Sequence, residues 1–165
     1  MSDQAPEITI TTEDPRSEAG NLLIRLLSAE LSGRYPEDGA DGNSDYDIEV
    51  ASQQPGAAFV VAWREDKPVG CGALRPFATG IAEIKRMYVG EEYRGMGIAK
   101  RILSTLEEVA ARNGNHTVCL ETGIRQPEAI ALYERAGYIK IPCWEKYADC
   151  PLSVCYEKVL QPREG

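Results

Sequence analysis

The chain carries one histidine, His116, in 165 residues, and none of its five cysteines shows Cys-x-x-Cys spacing or a histidine neighbour. Zinc sites draw on such clusters, so no metal centre is expected. Cys71, Cys119, Cys143, Cys150 and Cys155 instead read as small apolar fillers in a reducing compartment. A bridge among Cys143, Cys150 and Cys155 stays open, because they lie close in sequence. No apolar run approaches the ~20 residues that a membrane-spanning helix needs. Residues 1–13 lack the basic start and apolar stretch of a signal peptide, so a cytoplasmic protein is expected. Basic residues are in the minority: 18 Lys and Arg against 26 Asp and Glu, a net charge of −8. That sign argues against general binding to nucleic acid or to an anionic membrane.

What is present suits one domain over residues 1–165, with 43% hydrophobic and 27% charged residues. Residues 7–11 alternate as a strand does. A helix is expected from Glu18, with Leu22, Leu23, Leu26, Leu27 and Leu31 on one face and Gly33 as its stop. Residues 34–47 are rich in Gly and Asp and read as an exposed loop. Residues 57–74 read as a β-hairpin turning at 65–68, and 82–89 as a further strand. An amphipathic helix is expected over 94–112, where Ile98, Ile102, Leu103, Leu106, Val109 and Ala110 share a face. A short strand at 117–121 is followed by a helix opened by Pro127 and closed by Gly137. Strands at 138–141 and 153–159 end the chain, joined by a loop holding Trp144 and Tyr147. This order predicts a mixed sheet covered by helices, in the α/β (α+β) class.

The most informative segment is Met87-Tyr88-Val89-Gly90-Glu91-Glu92-Tyr93-Arg94-Gly95-Met96-Gly97-Ile98-Ala99-Lys100-Arg101. A strand ends, and a glycine-bearing turn opens a long helix. Free backbone N–H groups and the positive dipole end at such a start make an anion site. Glycines at 95 and 97 let a ligand approach the backbone closely. The helix also begins with Arg94, Lys100 and Arg101, where acidic residues are usual. Cations there are unfavourable unless an anion is bound, and a pyrophosphate would supply one. The segment is not a P-loop, having no Gly-Lys-Ser/Thr, nor a dinucleotide fingerprint, having no third glycine.

Arg94-Gly95-Met96-Gly97-Ile98-Ala99 resembles the Arg/Gln-x-x-Gly-x-Gly/Ala signature of the Gcn5-related N-acetyltransferase superfamily. Ala129-Ile130-Ala131-Leu132-Tyr133-Glu134-Arg135-Ala136-Gly137-Tyr138 resembles that family's second block. The resemblance implies a central, mostly antiparallel mixed sheet of six to seven strands flanked by about four helices. It implies acetyl-CoA (coenzyme A) as co-substrate. Arg94, Gly95, Met96, Gly97, Ile98 and Ala99 would hold the pyrophosphate, and Met87, Tyr88 and Val89 the pantetheine arm and acetyl group. The family often has Asn where this chain has Gln126, whose amide can serve the cofactor or the backbone.

The implied chemistry is direct attack of an amine on a thioester. An alkyl ammonium has a pKa of roughly 10.4, so a base must first take its proton. Glu83 is the candidate base, since it stands where the Gcn5-type histone acetyltransferases hold their glutamate. Pairing with Lys85 or Arg75 is its purely structural alternative. Tyr133 is the candidate acid, with a core tyrosine as the alternative. A backbone N–H of Val89 or Tyr88 would face the developing oxyanion. The acceptor is expected to be a small-molecule amine. Glu37, Asp38, Asp41, Asp45 and Asp47, with Trp144, Glu145, Tyr147 and Asp149, would suit a cationic one. Acetylation of a protein lysine or N-terminus, and acyl-CoA sensing without turnover, are the competing readings; a homodimer is common in the family.

Overall fold

The computed structural model describes residues 7–36 and 54–160. Seven strands form one sheet in the order β1-β2-β3-β4-β5-β7-β6. They are β1 (Ile8–Thr12), β2 (Ala58–Arg64), β3 (Lys67–Ala78), β4 (Ile81–Val89), β5 (Thr117–Gly123), β6 (Ile139–Ile141) and β7 (Ser153–Val159). Every neighbouring pair is antiparallel except β4 with β5, so the sheet is mixed and mostly antiparallel as expected. Three α-helices accompany it among the described residues, α1 (Glu18–Arg34), α2 (Ile98–Arg112) and α3 (Pro127–Arg135). Two 3₁₀ turns, Glu91–Tyr93 and Glu145–Tyr147, also occur among the described residues, where three α-helices stand against the about four expected.

Alternation along β2 divides the core between the two faces of the sheet. Val60 and Ala62 join Ile98, Ile102, Leu103, Leu106 and Ala110 of α2 on the first face. Phe59 and Val61 join Leu23 of α1 on the second. Helix α2 therefore buries the stripe that its spacing announced. Helix α1 buries a narrower one. Leu23 and Leu27 are enclosed, while Leu22 and Leu26 remain 38% and 43% exposed, because they stand about 100° round the helix from that row.

Two helix ends differ from expectation. Gly33 lies inside α1, which runs to Arg34 and closes when the Tyr35 N–H donates to the Leu31 carbonyl. Tyr35 itself, expected in an exposed loop, is only 7% exposed. The second difference is at α2, which starts at Ile98 and not at 94, because Gly95 and Gly97 take φ values of 83° and 79°. Left-handed backbone cannot continue an α-helix. The end of α3 agrees with expectation: Gly137, just past the Ala136 C-cap, takes a φ of 96° and closes the helix. Strand β5 is two residues longer than expected, as Thr122 and Gly123 keep pairing with Val154 and Ser153 of β7.

The cysteine reading needs one correction. Cys143 and Cys155 form a disulfide. The antiparallel register explains it: Ile141 of β6 lies opposite Cys155 of β7, so a residue two positions on is within reach. Cys71 and Cys119 behave as fillers, and burial pushes both thiols up to about 12. Among the described residues no helix is long and apolar enough to cross a membrane, and no group of His, Cys, Asp and Glu could hold a metal.

A bulge in β4 positions the site. Cys71 of β3 pairs with Tyr88 and Ala73 with Lys85, so Gly72 faces two residues, Arg86 and Met87. Arg86 takes up the extra length with a φ of 58°. The parity of β4 changes there. Ala82 and Ile84 face the first core, and beyond the bulge so do Met87 and Val89. Gly72 is needed opposite, because a Cβ would meet Ile102 and Leu106 at 2.8 Å and the Met87 sulfur at 2.9 Å. Gly72→Ala is expected to destabilise the protein by about 1–3 kcal/mol through overpacking, read as a lower midpoint in urea denaturation.

Candidate active site

Strands β4 and β5 pair only over Ile81–Ile84 with Thr117–Leu120. β4 continues to Val89 and β5 to Gly123, so the two parallel strands diverge. A cavity of about 650 Å³ opens beside this gap, a size that suits a small-molecule or cofactor site. Met87, Tyr88 and Val89 line one side, the turn into α2 lines another, and Ala129, Leu132, Tyr133 and Ala136 of α3 close it. The α3 residues recur at i, i+3, i+4 and i+7, one helical face.

The turn is built to leave backbone exposed. At Gly95 and Gly97 nothing lies within 4 Å of where a Cβ would stand, and both φ values are left-handed. Gly97 is the N-cap of α2 and makes no side-chain cap bond, and the first turn holds no acidic residue. A helix start so arranged directs its first N–H groups, and its dipole, at the cavity. The donor set and the space fit a bound phosphate chain.

The structure brings ten of the twelve anticipated residues around this cavity: Met87, Tyr88, Val89, Arg94, Gly95, Gly97, Ile98, Ala99, Gln126 and Tyr133. Met96 does not line it, and its side chain is 52% exposed. Glu83 is not at the cavity either. The three basic residues at the helix start part company. Lys100 lines the cavity, whereas Arg101 donates to the Ile8 carbonyl at 2.7 Å. Arg94 donates to the Val89 carbonyl at 2.9 Å and to Glu30 at 2.6 Å, so its charge already has a carboxylate partner from α1. Gln126 serves the backbone: its Oε1 accepts from the Gly123 N–H at 3.2 Å.

Tyr133 is 4% exposed, and burial, with the Glu121 charge, pushes its phenol far above the usual value. It is a protonated donor at neutral pH. Glu83 sits on the second face of the sheet, 2% exposed, with Arg75 Nε 3.2 Å from one oxygen and Lys85 Nζ 3.8 Å from the other. Burial raises its carboxyl, against the pull of Lys85 and then Arg75. Lys85 donates to the Tyr147 hydroxyl at 3.0 Å, and the Trp144 ring contacts both Phe77 and Tyr147. The acidic stretch Glu37, Asp38, Asp41, Asp45 and Asp47 lies outside the described residues.

Sequence reading missed several residues at or near the cavity, of which Glu30 lines it and Tyr35 and Glu121 do not. Tyr35 is one, its hydroxyl accepting from the Arg125 N–H at 2.9 Å while lying over Gly123. Glu30 and Glu121 are others. Only the helical period linking Glu30 to Leu23 and Leu27 could have hinted at the first, and nothing local announces the pairing of Arg94 with a helix 64 positions away.

Comparison with known proteins identifies the family and the fold. The model of the acetyltransferase (GNAT) family matches residues 23–138. The chain belongs to that family. The IAA acetyltransferase of Azospirillum brasilense is 36% identical over 94% of this chain and 99% of its own. A Klebsiella pneumoniae structure, described as a candidate acyl-CoA N-acyltransferase, superposes with a TM-score of 0.79 at 32% identity, covering 95% of this chain and 100% of that one. The PaiA N-acetyltransferase of Thermoplasma acidophilum, solved with coenzyme A, shares the fold with a TM-score of 0.73 at 20% identity, covering 93% of this chain and 99% of its own. As a GNAT protein the chain is an acetyl-CoA-dependent acetyltransferase.

Arg94 ties α1 to the turn on which the cavity is built. Arg94→Met would leave the Val89 carbonyl and Glu30 without this partner, and a loss of about 1–3 kcal/mol is expected, measurable by chemical denaturation.

Proposed function

We propose that this acetyltransferase acetylates a primary amine of a small molecule by direct attack. The observation that carries the reading is the cavity beside the end of β4, which is lined by the glycine-bearing helix start and by Tyr133. Acetyl-CoA brings the acetyl group as an activated thioester. The backbone N–H groups of Gly95, Gly97, Ile98 and Ala99, with Met96 in the same turn, receive the pyrophosphate, and Lys100 adds a positive charge. Gly97 has no Cβ to hinder that approach.

The exposed edge of β4 at Met87, Tyr88 and Val89 orients the arm that bears the acetyl group. A backbone N–H of Val89 or Tyr88 points to the carbonyl oxygen as charge develops there. Tyr133 donates its O–H to the departing sulfur. Its raised pKa makes it a hydrogen-bond donor that holds its own proton, and a thiolate with a pKa near about 8.5 needs little more. Glu83, the carboxylate that the resemblance suggests as base, stands on the second face beside Arg75 and Lys85, and a carboxylate on that face takes the proton of the amine. Gln126 acts from its bond to Gly123, fixing the turn between β5 and α3.

Calorimetric titration of acetyl-CoA into wild type and Gly97→Trp tests the cofactor site. Saturable binding is expected for the wild type and none for the variant, with circular dichroism unchanged. Thiol release is then followed across glycine, aspartate, spermidine, kanamycin and a lysine peptide. Preference for one of the small amines supports the reading, and preference for the peptide returns it to protein acetylation. Binding without thiol release from any of them would mark a sensor. Tyr133→Phe is expected to lower kcat by about tenfold to a hundredfold with little change in KM for the amine, checked by the same assay.

A further inference from the structure

Two carboxylates share the second face of the sheet, and Glu83 is the more enclosed. Its register partner on β5 is Cys119, and Ile84 is paired with Leu120. Those are the last residues of the β4–β5 ladder towards the cavity. Glu121 comes next, on the same face as Cys119, and is therefore the first β5 side chain on that face within the widened gap. From β7, the Ser153 hydroxyl donates to its Oε2 at 2.8 Å and fixes the carboxylate. Unlike Glu83, Glu121 is only half-buried.

The electrostatics follow the same placement. Glu121 is the charge that adds to burial in raising Tyr133, and it also acts on Tyr35 and Tyr147. The charge of Glu83 contributes at Tyr147, after that of Glu121. A base that serves the reaction has to stand within reach of the nitrogen while the acid stands near the sulfur, so Glu121, just past the last β4–β5 pair, is the better placed of the two.

We propose that Glu121 contacts the acceptor amine and takes its proton, with Glu83 behind it as a second carboxylate acting through Lys85. The proposal rests on the acetyltransferase reading above. One N–H bond of the ammonium breaks and an O–H bond forms on Glu121. The lone pair left on nitrogen makes the new C–N bond as the C–S bond breaks, and the electron pair of that bond leaves on sulfur. The surplus proton on nitrogen passes to the sulfur, so a thiol is released, and Glu121 returns its proton to solvent.

Besides burial, the groups that set the titration of Glu121 are Ser153 from β7, Lys85 and Glu83 from β4, and Lys146 from the 3₁₀ turn. The charge of Glu121 acts in turn on Tyr133 and Tyr35. Burial raises its carboxyl above the ordinary range, the Ser153 bond and Lys85 oppose that, and Glu83 adds to it. A raised base is ionised only above its raised pKa, so the rate should climb with pH through that value.

The test is the pH profile of kcat/KM in the full chain, for the same five amines, in wild type, Glu121→Gln, Glu121→Asp and Glu83→Gln. Acetyl-CoA affinity is followed alongside. Glu121→Gln is expected to lose about a hundredfold in kcat and to lose the acid limb, with acetyl-CoA affinity kept within about twofold. Glu121→Asp should restore part of the rate and the limb. Glu83→Gln should keep the limb but move it to lower pH, since removing a negative neighbour favours an ionised Glu121. If Glu121→Gln keeps the limb and Glu83→Gln abolishes it, Glu83 meets the amine, and the proposal falls while the acetyltransferase reading stands. Wild type that binds no acetyl-CoA, or turns over none of the amines, sinks that reading and the proposal with it.

Discussion

The site depends on the early end of the pairing between β4 and β5. Parallel neighbours in a sheet normally stay bonded along their shared length, yet here four residue pairs suffice before the strands part. The bulge at Arg86 makes the departure possible, because one extra residue bends β4 and changes which of its side chains face α2. Met87 and Val89 then pack into the core beside α2 while their backbone borders the cavity. Without that offset the same residues would point to the second face, and the helix start would have no strand edge opposite it.

Around that gap the molecule separates two kinds of chemistry. The first face offers backbone: glycine turns, a helix start, a strand edge. The second face offers charge, with Arg75, Glu83 and Lys85 in contact and Glu121 fixed by Ser153. An acetyl group lying in the gap is accessible from both sides. The division suits a reaction in which the donor is gripped through its polar chain and the acceptor is met by titratable side chains.

Much of this was legible in the sequence, and the parts that were not share a physical cause. The order of strands and helices followed from alternation and from the 3.6-residue period, and Pro127 opens α3 as its fixed φ suggests. The motif around Gly95 and Gly97 pointed to a turn that does line the cavity, because close backbone approach leaves a mark in residue type. Long-range pairing leaves none. That Arg94 spends its charge on Glu30, that Glu83 is closed in by Arg75, and that Tyr35 is buried all depend on which strands and helices become neighbours. The extent of α2 was overestimated for a related reason: its apolar stripe carries no information about the left-handed residues that precede it.

The contact between Tyr35 and Gly123 has a further consequence. A Cβ at 123 would overlap the tyrosine hydroxyl, which also accepts from the Arg125 N–H and donates towards Gln126 at 3.5 Å. The two positions are thus not free to drift separately. A larger residue at 123 is tolerable only beside a smaller one at 35, and loss of the tyrosine leaves the Arg125 N–H in search of another acceptor. Natural or engineered variation at this corner should come in compensating pairs, with each half harmful until the other arrives.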